Sequence, residues 1–208
     1  MTSHRGDVPI TGEAERHSHA VGRGLGASVS GPIRVLSGET RRARDTATHL
    51  ARGLVDAGRV VSGPTVAFAL RNPDLYLGGH RVDMVSSAEA LAEQVDGLSA
   101  GDVASLAFYP EFIVSPDRIG WWLGHDAPPG DDAAAVARRV RAFALSLLDP
   151  VGTRPELVVA VTHSPLLRAV GHDFLGRDIG EPPWVAGLVL TLADDGAITV
   201  GEFVPEPA

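Results

Sequence analysis

The sequence predicts an α/β fold with a mostly parallel central sheet and helices on both faces. Short apolar runs with strand character alternate with longer segments of helical periodicity, which is typical of such folds. The strongest run, residues 157–163 (LVVAVTH), is β-branched and apolar on both faces, as expected of a central parallel strand. A length of 208 residues suits a single domain over 1–208.

Short apolar or β-branched runs are the predicted strands, and one pair has a hairpin signal. Residues 187–193 and 197–204 flank Asp-Asp-Gly, and Asp-Gly between two such runs favours an antiparallel hairpin. The predicted strands are 33–37, 104–109, 157–163, 187–193 and 197–204.

Helical segments lie between these runs and carry their own end signals. Thr11 is a candidate N-cap, and Ser86 followed by Glu89 has a capping-box pattern. Aromatic residues concentrate in 99–129, which we predict to be a cap or insertion with its own small core, within a smaller unit around 70–130. The predicted helices are 11–28, 39–58, 86–98, 130–150 and 165–176.

Composition excludes several classes of function. The net charge is −8, which disfavours nucleic acid and anionic membranes as partners. The chain has no cysteine, so disulfides, thiol nucleophiles and Cys-ligated zinc are excluded, and the cytoplasm is the predicted compartment. No apolar run reaches the length of a membrane-spanning helix.

Two predicted strand ends carry residues that could bind an anion or take part in catalysis. His163 ends an apolar strand and Ser164 begins the next helix, where free backbone N–H groups favour anions. After the strand 33–37, three arginines crowd the first turns of a helix, which costs about 0.3–1 kcal/mol each. A phosphate ahead of the helix would offset that cost; a solvated basic face is the alternative. The three are Arg41, Arg42 and Arg44.

Four segments, in order, resemble the histidine phosphatase superfamily, the phosphoglycerate mutase-like branch. The segment 37–51 (SGETRRARDTATHLA) resembles the family's Ser-x-x-x-x-Arg-Ala-x-x-Thr-Ala pattern, and 158–170 (VVAVTHSPLLRAV) resembles its second-histidine strand. Residues 7–26 resemble its first helix, and 121–148 resemble its Pro-Gly-Gly-Glu stretch with the helix that follows. Together the four segments span most of the chain.

The resemblance implies a metal-independent phosphatase that needs no cofactor and acts on a small phosphorylated substrate. A histidine attacks phosphorus, water then releases phosphate, and a second histidine and two arginines hold the phosphoryl oxygens. His163 corresponds to the second histidine and Arg42 to a phosphate-binding arginine, and Ser164 beside them is a further predicted phosphate-binding residue. Members of this family commonly form dimers, so a homodimer is compatible with the resemblance.

The nucleophile corresponds to the N-terminal segment 3–7 (SHRGD), which departs from the family's Arg-His-Gly-Glu. If Ser3-His4 match Arg-His, His4 is the nucleophile and Arg5 supplies the missing positive charge. If Gly6-Asp7 match Gly-Glu, Arg5 stands at the nucleophile's position. We predict His4 as nucleophile, because it is the only imidazole near the expected place. The family's first apolar strand has no counterpart in the two or three residues ahead of this motif.

The general acid is also altered. Asn72 stands where the family has a glutamate, and Asp74 is the nearest carboxylate, so we predict Asp74 as proton donor; a turn residue after Pro73 is the alternative.

These departures leave two further hypotheses open. A catalytically degenerate relative would keep the fold and an anion pocket, and would act as a binding or regulatory protein. A serine hydrolase would use Ser164, but the sequence THSPL lacks the flanking glycines of Gly-x-Ser-x-Gly.

Overall fold

A computed structural model describes residues 8–149, 155–193 and 195–205. The predicted site residues His4 and Arg5 lie outside the described residues. The centre of the fold is a parallel sheet of three strands, in the order β2-β1-β5. Helices flank this sheet, so the predicted α/β class is confirmed. The three strands are β1 (Ile33–Ser37), β2 (Val61–Val66) and β5 (Leu157–Val161).

Eight α-helices occur in the described part of the chain, and the long ones agree with prediction. Thr11 caps the first helix by accepting a hydrogen bond from the backbone N–H of Ala14. The helices are α1 (Gly12–Ser28), α2 (Arg41–Asp56), α3 (Ala88–Ala92), α4 (Ala100–Val103), α5 (Tyr109–Val114), α6 (Arg118–Leu123), α7 (Ala133–Ser146) and α8 (Ser164–Leu175). None of them is long and apolar enough to cross a bilayer.

Helices α1 and α2 approach each other closely through two glycines. A Cβ on Gly22 would lie 2.2 Å from the carbonyl oxygen of Leu50, and one on Gly53 would lie 2.1 Å from that of His19. Apolar residues of both helices form a core with residues of β1 and β5 on one face of the sheet. Glycine at these two positions therefore sets how closely α1 packs against α2.

Two antiparallel hairpins complete the strands. β6 (Gly187–Leu192) pairs with β7 (Ile198–Phe203), which confirms the hairpin predicted from Asp-Asp-Gly. β3 (Leu75–Leu77) pairs with β4 (His80–Val82) across Gly78-Gly79, and this hairpin was not predicted. Its strands have three residues each, too few for an alternating pattern to be recognised.

Two local predictions are wrong. Residues 104–109 do not form a strand: they link α4 to α5, and the rings of Phe108 and Tyr109 are buried in an aromatic cluster. The helix predicted over 86–98 is reduced to α3, and its N-cap is Ser87, not Ser86. Apolar and capping patterns are local signals, and tertiary packing can override them.

The aromatic tract packs a second core beside the sheet. Trp122 is 0% exposed, and its indole N–H donates to the backbone carbonyl of Asp131. The cluster continues into α7 and α8 through Val136, Leu166 and Ala169. Residues 99–129 therefore pack against the α7–α8 pair, as expected of a cap; its boundary as a separate unit stays a prediction.

Candidate functional site

The carboxyl ends of β1 and β5 bring two helix starts together. The strands are paired in register, with Ser37 opposite Val161, and the Gly38 N–H donates to the Val161 carbonyl at 2.8 Å. Each strand leads into a helix, so the N-caps of α2 and α8 fall side by side. These N-caps are Thr40 and His163, and Thr40 Oγ1 lies 2.9 Å from His163 Nε2.

Two helix N-termini at one point favour a nearby anion. Free backbone N–H groups and the positive ends of both helix dipoles favour negative charge there. α2 has 16 residues and α8 has 12, so both dipoles are well developed. The sequence shows a strand–turn–helix pattern at β1–α2 and at β5–α8. Only the parallel pairing of β1 with β5 shows that the two helix starts lie at the same place.

His163 is held neutral near pH 7. Burial lowers its pKa to about 4, the charge of Arg42 adds to the effect, and Glu39 opposes it. A neutral imidazole can accept or donate one hydrogen bond without bringing a net charge into the site. This state suits a histidine that must contact a phosphoryl oxygen or hold a neighbouring group in place.

Arg42 supplies the positive charge beside His163. Its exposed side chain lines two cavities that adjoin at the helix starts, and no hydrogen bond or ion pair to it occurs within the described residues. Arg41, its neighbour, faces away and forms an ion pair with Asp45 at 3.8 Å. Of the crowded arginines, Arg42 is therefore the one placed to contact an anion.

Ser164 and Glu181 form a second polar pair at the start of α8. The Ser164 hydroxyl donates to Glu181 Oε2 at 2.6 Å, and both residues line the same two cavities as Arg42. Glu181 was missed by sequence reasoning because it lies in the irregular segment after α8, with no motif around it. Since His163 contacts Thr40 and Ser164 contacts a carboxylate, the serine-nucleophile hypothesis gains nothing here.

A cavity of about 780 Å³, named here the polar cavity, extends from Arg42 into the cap. Its volume is in the range of small-molecule sites. Charged and amide side chains alternate with apolar ones around it: Thr40, Arg42, Asn72, Asp83, Met84, Val85, Ser86, Ala90, Glu93, Gln94, Phe112, Pro116, Asp117, Arg118, Ile119, Ser164, Arg168 and Glu181.

Arg168 lines the polar cavity from within the core. It is 1% exposed, and its guanidinium donates to Asp117 at 2.6 and 2.7 Å and to Asp178 at 2.9 Å. These bonds lower the pKa of Asp117 to about 2 and keep Arg168 charged. The network ties α8 to the start of α6 and to the loop after α8, and sequence reasoning missed it.

Asp74 does not have the environment of a general acid. Its carboxylate accepts hydrogen bonds from Arg71 at 2.9 Å and pairs with Arg81 at 2.6 Å. Burial raises the pKa of Asp74, but the Arg71 hydrogen bond and the charges of Arg81, Arg71 and Arg139 outweigh it, so the pKa is lowered. Asp74 is also absent from the lining of the polar cavity. The proton-donor role of Asp74 stays a prediction, which these ion pairs and the lowered pKa disfavour.

Asn72 occupies the polar cavity where a carboxylic acid was expected. Its Oδ1 atom is buried and has no hydrogen-bond partner within the described ranges. An amide cannot donate a proton to a leaving group as an acid does, but a buried acceptor without a partner can bind a hydroxyl or ammonium group.

Comparison with known proteins supports the fold. No protein-family model matches the chain, and no curated protein is similar to it in sequence. Among solved structures, mycobacterial glucosyl-3-phosphoglycerate phosphatase in complex with inorganic phosphate is similar, with 21% identity and a TM-score of 0.56 over 100% of this chain and 91% of that one.

Its native form matches with 19% identity and a TM-score of 0.54, covering 98% of this chain and 90% of that one. A second mycobacterial protein, hydrolase 2, matches with 21% identity and a TM-score of 0.55, covering 95% and 79%. These likenesses show that the chain has the phosphoglycerate mutase-like fold.

Proposed function

We propose that the protein is a metal-independent phosphatase that hydrolyses a small-molecule phosphoester through a phosphohistidine intermediate. The observation that carries the proposal is the convergence of His163, Thr40 and Arg42 at the N-termini of α2 and α8. A phosphoryl group is an anion of the size and charge that this arrangement favours. The fold shared with a phosphatase supports the same activity.

In the proposed reaction, an imidazole nitrogen attacks phosphorus and the bond from phosphorus to the leaving oxygen breaks. The leaving oxygen takes a proton from an acid. Water then attacks the phosphorus of the intermediate and gives a proton to the conjugate base of that acid, the P–N bond breaks, and inorganic phosphate leaves. Arg42, neutral His163 and the helix N–H groups stabilise the equatorial oxygens in both steps. The nucleophile in this proposal is His4, with Arg5 as an additional phosphate ligand.

The polar cavity indicates the size of the substrate. A phosphate held at Arg42 leaves most of about 780 Å³ for the rest of the molecule. Amide and carboxylate groups in the lining, such as Gln94 and Glu93, suit an organic group that carries hydroxyls. The phosphatase of similar fold acts on a glucosyl-phosphoglycerate, which has this character.

We propose Glu181 as the proton donor in place of Asp74. Glu181 lies beside the phosphate position through its hydrogen bond with Ser164. Glu181→Gln is expected to slow an alkyl phosphate by roughly 10²–10⁴-fold and p-nitrophenyl phosphate far less, because a good leaving group needs no acid. Glu111→Gln, at an exposed position outside the polar cavity, is the matched control. Equal losses on both substrates would remove the acid role.

The main experiment is hydrolysis of p-nitrophenyl phosphate together with acid-free trapping of a labelled enzyme. We expect phosphate release, and a phosphoryl label that survives alkali but is lost in acid, as phosphohistidine is. His4→Ala should abolish both, whereas His80→Ala, at an exposed hairpin position, should change neither. Turnover that persists in His4→Ala would refute the assignment of the nucleophile.

The second candidate is a catalytically degenerate protein that binds an anionic ligand for a regulatory purpose. Asn72 and the ion-paired Asp74 favour it, because the expected acid is absent from its place. Binding of inorganic phosphate that depends on Arg42, without turnover of either phosphoester, is the outcome that would select this function.

A further inference from the structure

Glu39 places a negative charge beside the candidate anion site. It immediately precedes Thr40, the N-cap of α2, whose hydroxyl lies 2.9 Å from His163 Nε2. The charge of Arg42 lowers the pKa of His163 and that of Glu39 raises it, so both side chains act on the same imidazole. A carboxylate at this place disfavours the binding of a phosphoryl group, because like charges repel each other.

Arg81 counters the charge of Glu39. Its guanidinium donates to Glu39 Oε1 at 2.5 Å, and the same side chain pairs with Asp74 at 2.6 Å. Burial lowers the pKa of Arg81, but the hydrogen bond to Glu39 and the charge of Asp74 outweigh this effect, so Arg81 stays charged. Within residues 8–149, 155–193 and 195–205, the Glu39 carboxylate has no other hydrogen bond or ion pair.

The β3–β4 hairpin presents Arg81 from a fixed position. Leu75 and Val82, at its two ends, are 0% and 2% exposed in the core of the cap. Tyr76 lies opposite Arg81 in the hairpin, and its backbone carbonyl accepts a hydrogen bond from the Tyr109 hydroxyl at 2.8 Å. Packing of the hairpin therefore decides where Arg81 can hold a carboxylate.

Arg42 is the alternative partner for Glu39. The two residues are three positions apart at the start of α2, and both act electrostatically on His163. No described residue forms a hydrogen bond or ion pair with the exposed side chain of Arg42. A Glu39 carboxylate released from Arg81 would have this cation as an oppositely charged neighbour, and pairing would occupy the group that is placed to contact an anion.

We propose that Arg81 is a positioning residue that holds Glu39 away from Arg42 and so leaves Arg42 free to bind the phosphoryl group. The identification of the anion as a phosphoryl group rests on the proposed function. Arg81 does not contact the substrate in this proposal, because two carboxylates engage its guanidinium and it is absent from the lining of the polar cavity. Its loss should therefore weaken binding and leave the bond-breaking steps unchanged.

The test is a double-mutant cycle of Arg81→Ala, Glu39→Gln and the double variant. The measurements are the Kd of inorganic phosphate by calorimetry, and KM and kcat on p-nitrophenyl phosphate. We expect Arg81→Ala to raise Kd and KM by about five- to tenfold and to change kcat by less than about twofold. In the double variant, Kd and KM should return to within about twofold of the unsubstituted protein. Arg177→Ala, which removes an exposed pair with Glu202, is the control and should change none of the three.

The double variant separates positioning from other roles of Arg81. If Arg81 contacted phosphate directly, or only stabilised the hairpin, Glu39→Gln would restore nothing, because it returns no contact of the missing guanidinium. Unchanged phosphate binding in Arg81→Ala, or a loss that Glu39→Gln does not reverse, would overturn the proposal.

The imidazole of His163 gives a second measurement that needs no phosphate. Its pKa, followed by NMR titration, should be higher in Arg81→Ala by at least about half a pH unit, because a carboxylate without its cation stabilises the imidazolium. Glu39→Gln should reverse this rise. If the unsubstituted protein neither binds phosphate nor hydrolyses the ester, the proposed function fails and this titration decides the inference. An unchanged pKa would then overturn it, and a rise that Glu39→Gln reverses would uphold it.

Discussion

Arg168 and Arg42 line the same cavity but have opposite environments. Arg168 is buried and fully engaged by two carboxylates of its own chain. Arg42 is exposed at the start of α2, where the helix dipole disfavours a cation, and no described residue pairs with it. A charge that the fold neutralises itself serves the architecture. A charge that no described residue pairs, at a place the helix dipole disfavours, is consistent with binding of an anionic ligand.

The two arginines also differ in how far along the sequence their contacts reach. Arg168 joins segments 51 and 10 residues away in the sequence, so it holds the cap and the loop after α8 onto α8. Arg42 follows β1 at the start of α2, and its charge affects His163, which follows the paired strand β5. Their removal should therefore affect separate properties, stability for one and activity for the other.

The largest effect is expected for Arg42→Ala on catalysis. Loss of one fixed cation from a phosphoryl site should lower kcat/KM by about 10²–10³-fold, with stability changed by less than about 0.5 kcal/mol. The measurement is phosphate release with a parallel urea unfolding curve. Arg41→Ala, whose side chain pairs with Asp45, is the control and should lose little activity. Equal losses in the two variants would contradict the distinction between them.

Arg168→Met should lower the free energy of unfolding by about 3 kcal/mol. This is the low end for breaking a buried pair, because Asp117 and Asp178 are partly exposed and regain water. Urea denaturation measures the change. Arg177→Met removes an exposed pair with Glu202 and should change stability by no more than about 1 kcal/mol. A stable Arg168→Met protein with impaired activity would instead make Arg168 a substrate ligand.

His163 should make stability fall on acidification. Its pKa in the folded state is about 4, below the value of 6.5 for an unperturbed histidine, so between these values the unfolded chain binds the proton and the folded chain does not. Unfolding free energy should decrease by about 1.4 kcal/mol per pH unit, or about 2 kcal/mol from pH 6.5 to 5.

Urea curves from pH 8 to 4 measure this loss, and His163→Asn should remove it while His80→Asn, at an exposed position, should retain it. If the free energy of unfolding of His163→Asn falls with pH as steeply as that of the unsubstituted protein, other groups cause the loss of stability in acid.

Asp74→Asn is expected to have the smallest effect on activity. Removing a carboxylate that accepts from Arg71 and pairs with Arg81 should lower stability by about 1–3 kcal/mol, since these are charge-assisted bonds. Activity on poor leaving groups should be kept, because Asp74 lies outside the polar cavity. Asp45→Asn, in an exposed pair, is the stability control. A selective loss on an alkyl phosphate, with Tm unchanged, would restore Asp74 as the acid.

Local patterns were sufficient for the elements next to the site. The runs 33–37 and 157–163 are mostly apolar and each is followed closely by a helical segment, so Arg42 at a helix start and His163 at a strand end could be identified from sequence. The β6–β7 hairpin was equally local, because Asp-Gly between two apolar runs specifies a turn. The strand predicted over 104–109 from its apolar residues is wrong, because these residues pack into the aromatic core around Trp122.

The amino-acid sequence by itself determined the α/β class, the main helices and the two strand ends that carry charge and imidazole, because these depend on periodicity over a few neighbouring residues. Only the tertiary structure decided which side chains meet. Thr40 lies against His163, and Glu181 accepts a hydrogen bond from Ser164. Asp74 pairs with arginines, and Arg168 is buried with two carboxylates. These pairings join elements that are distant in sequence or choose between near neighbours. Such choices follow from sheet pairing and packing, which no local pattern encodes.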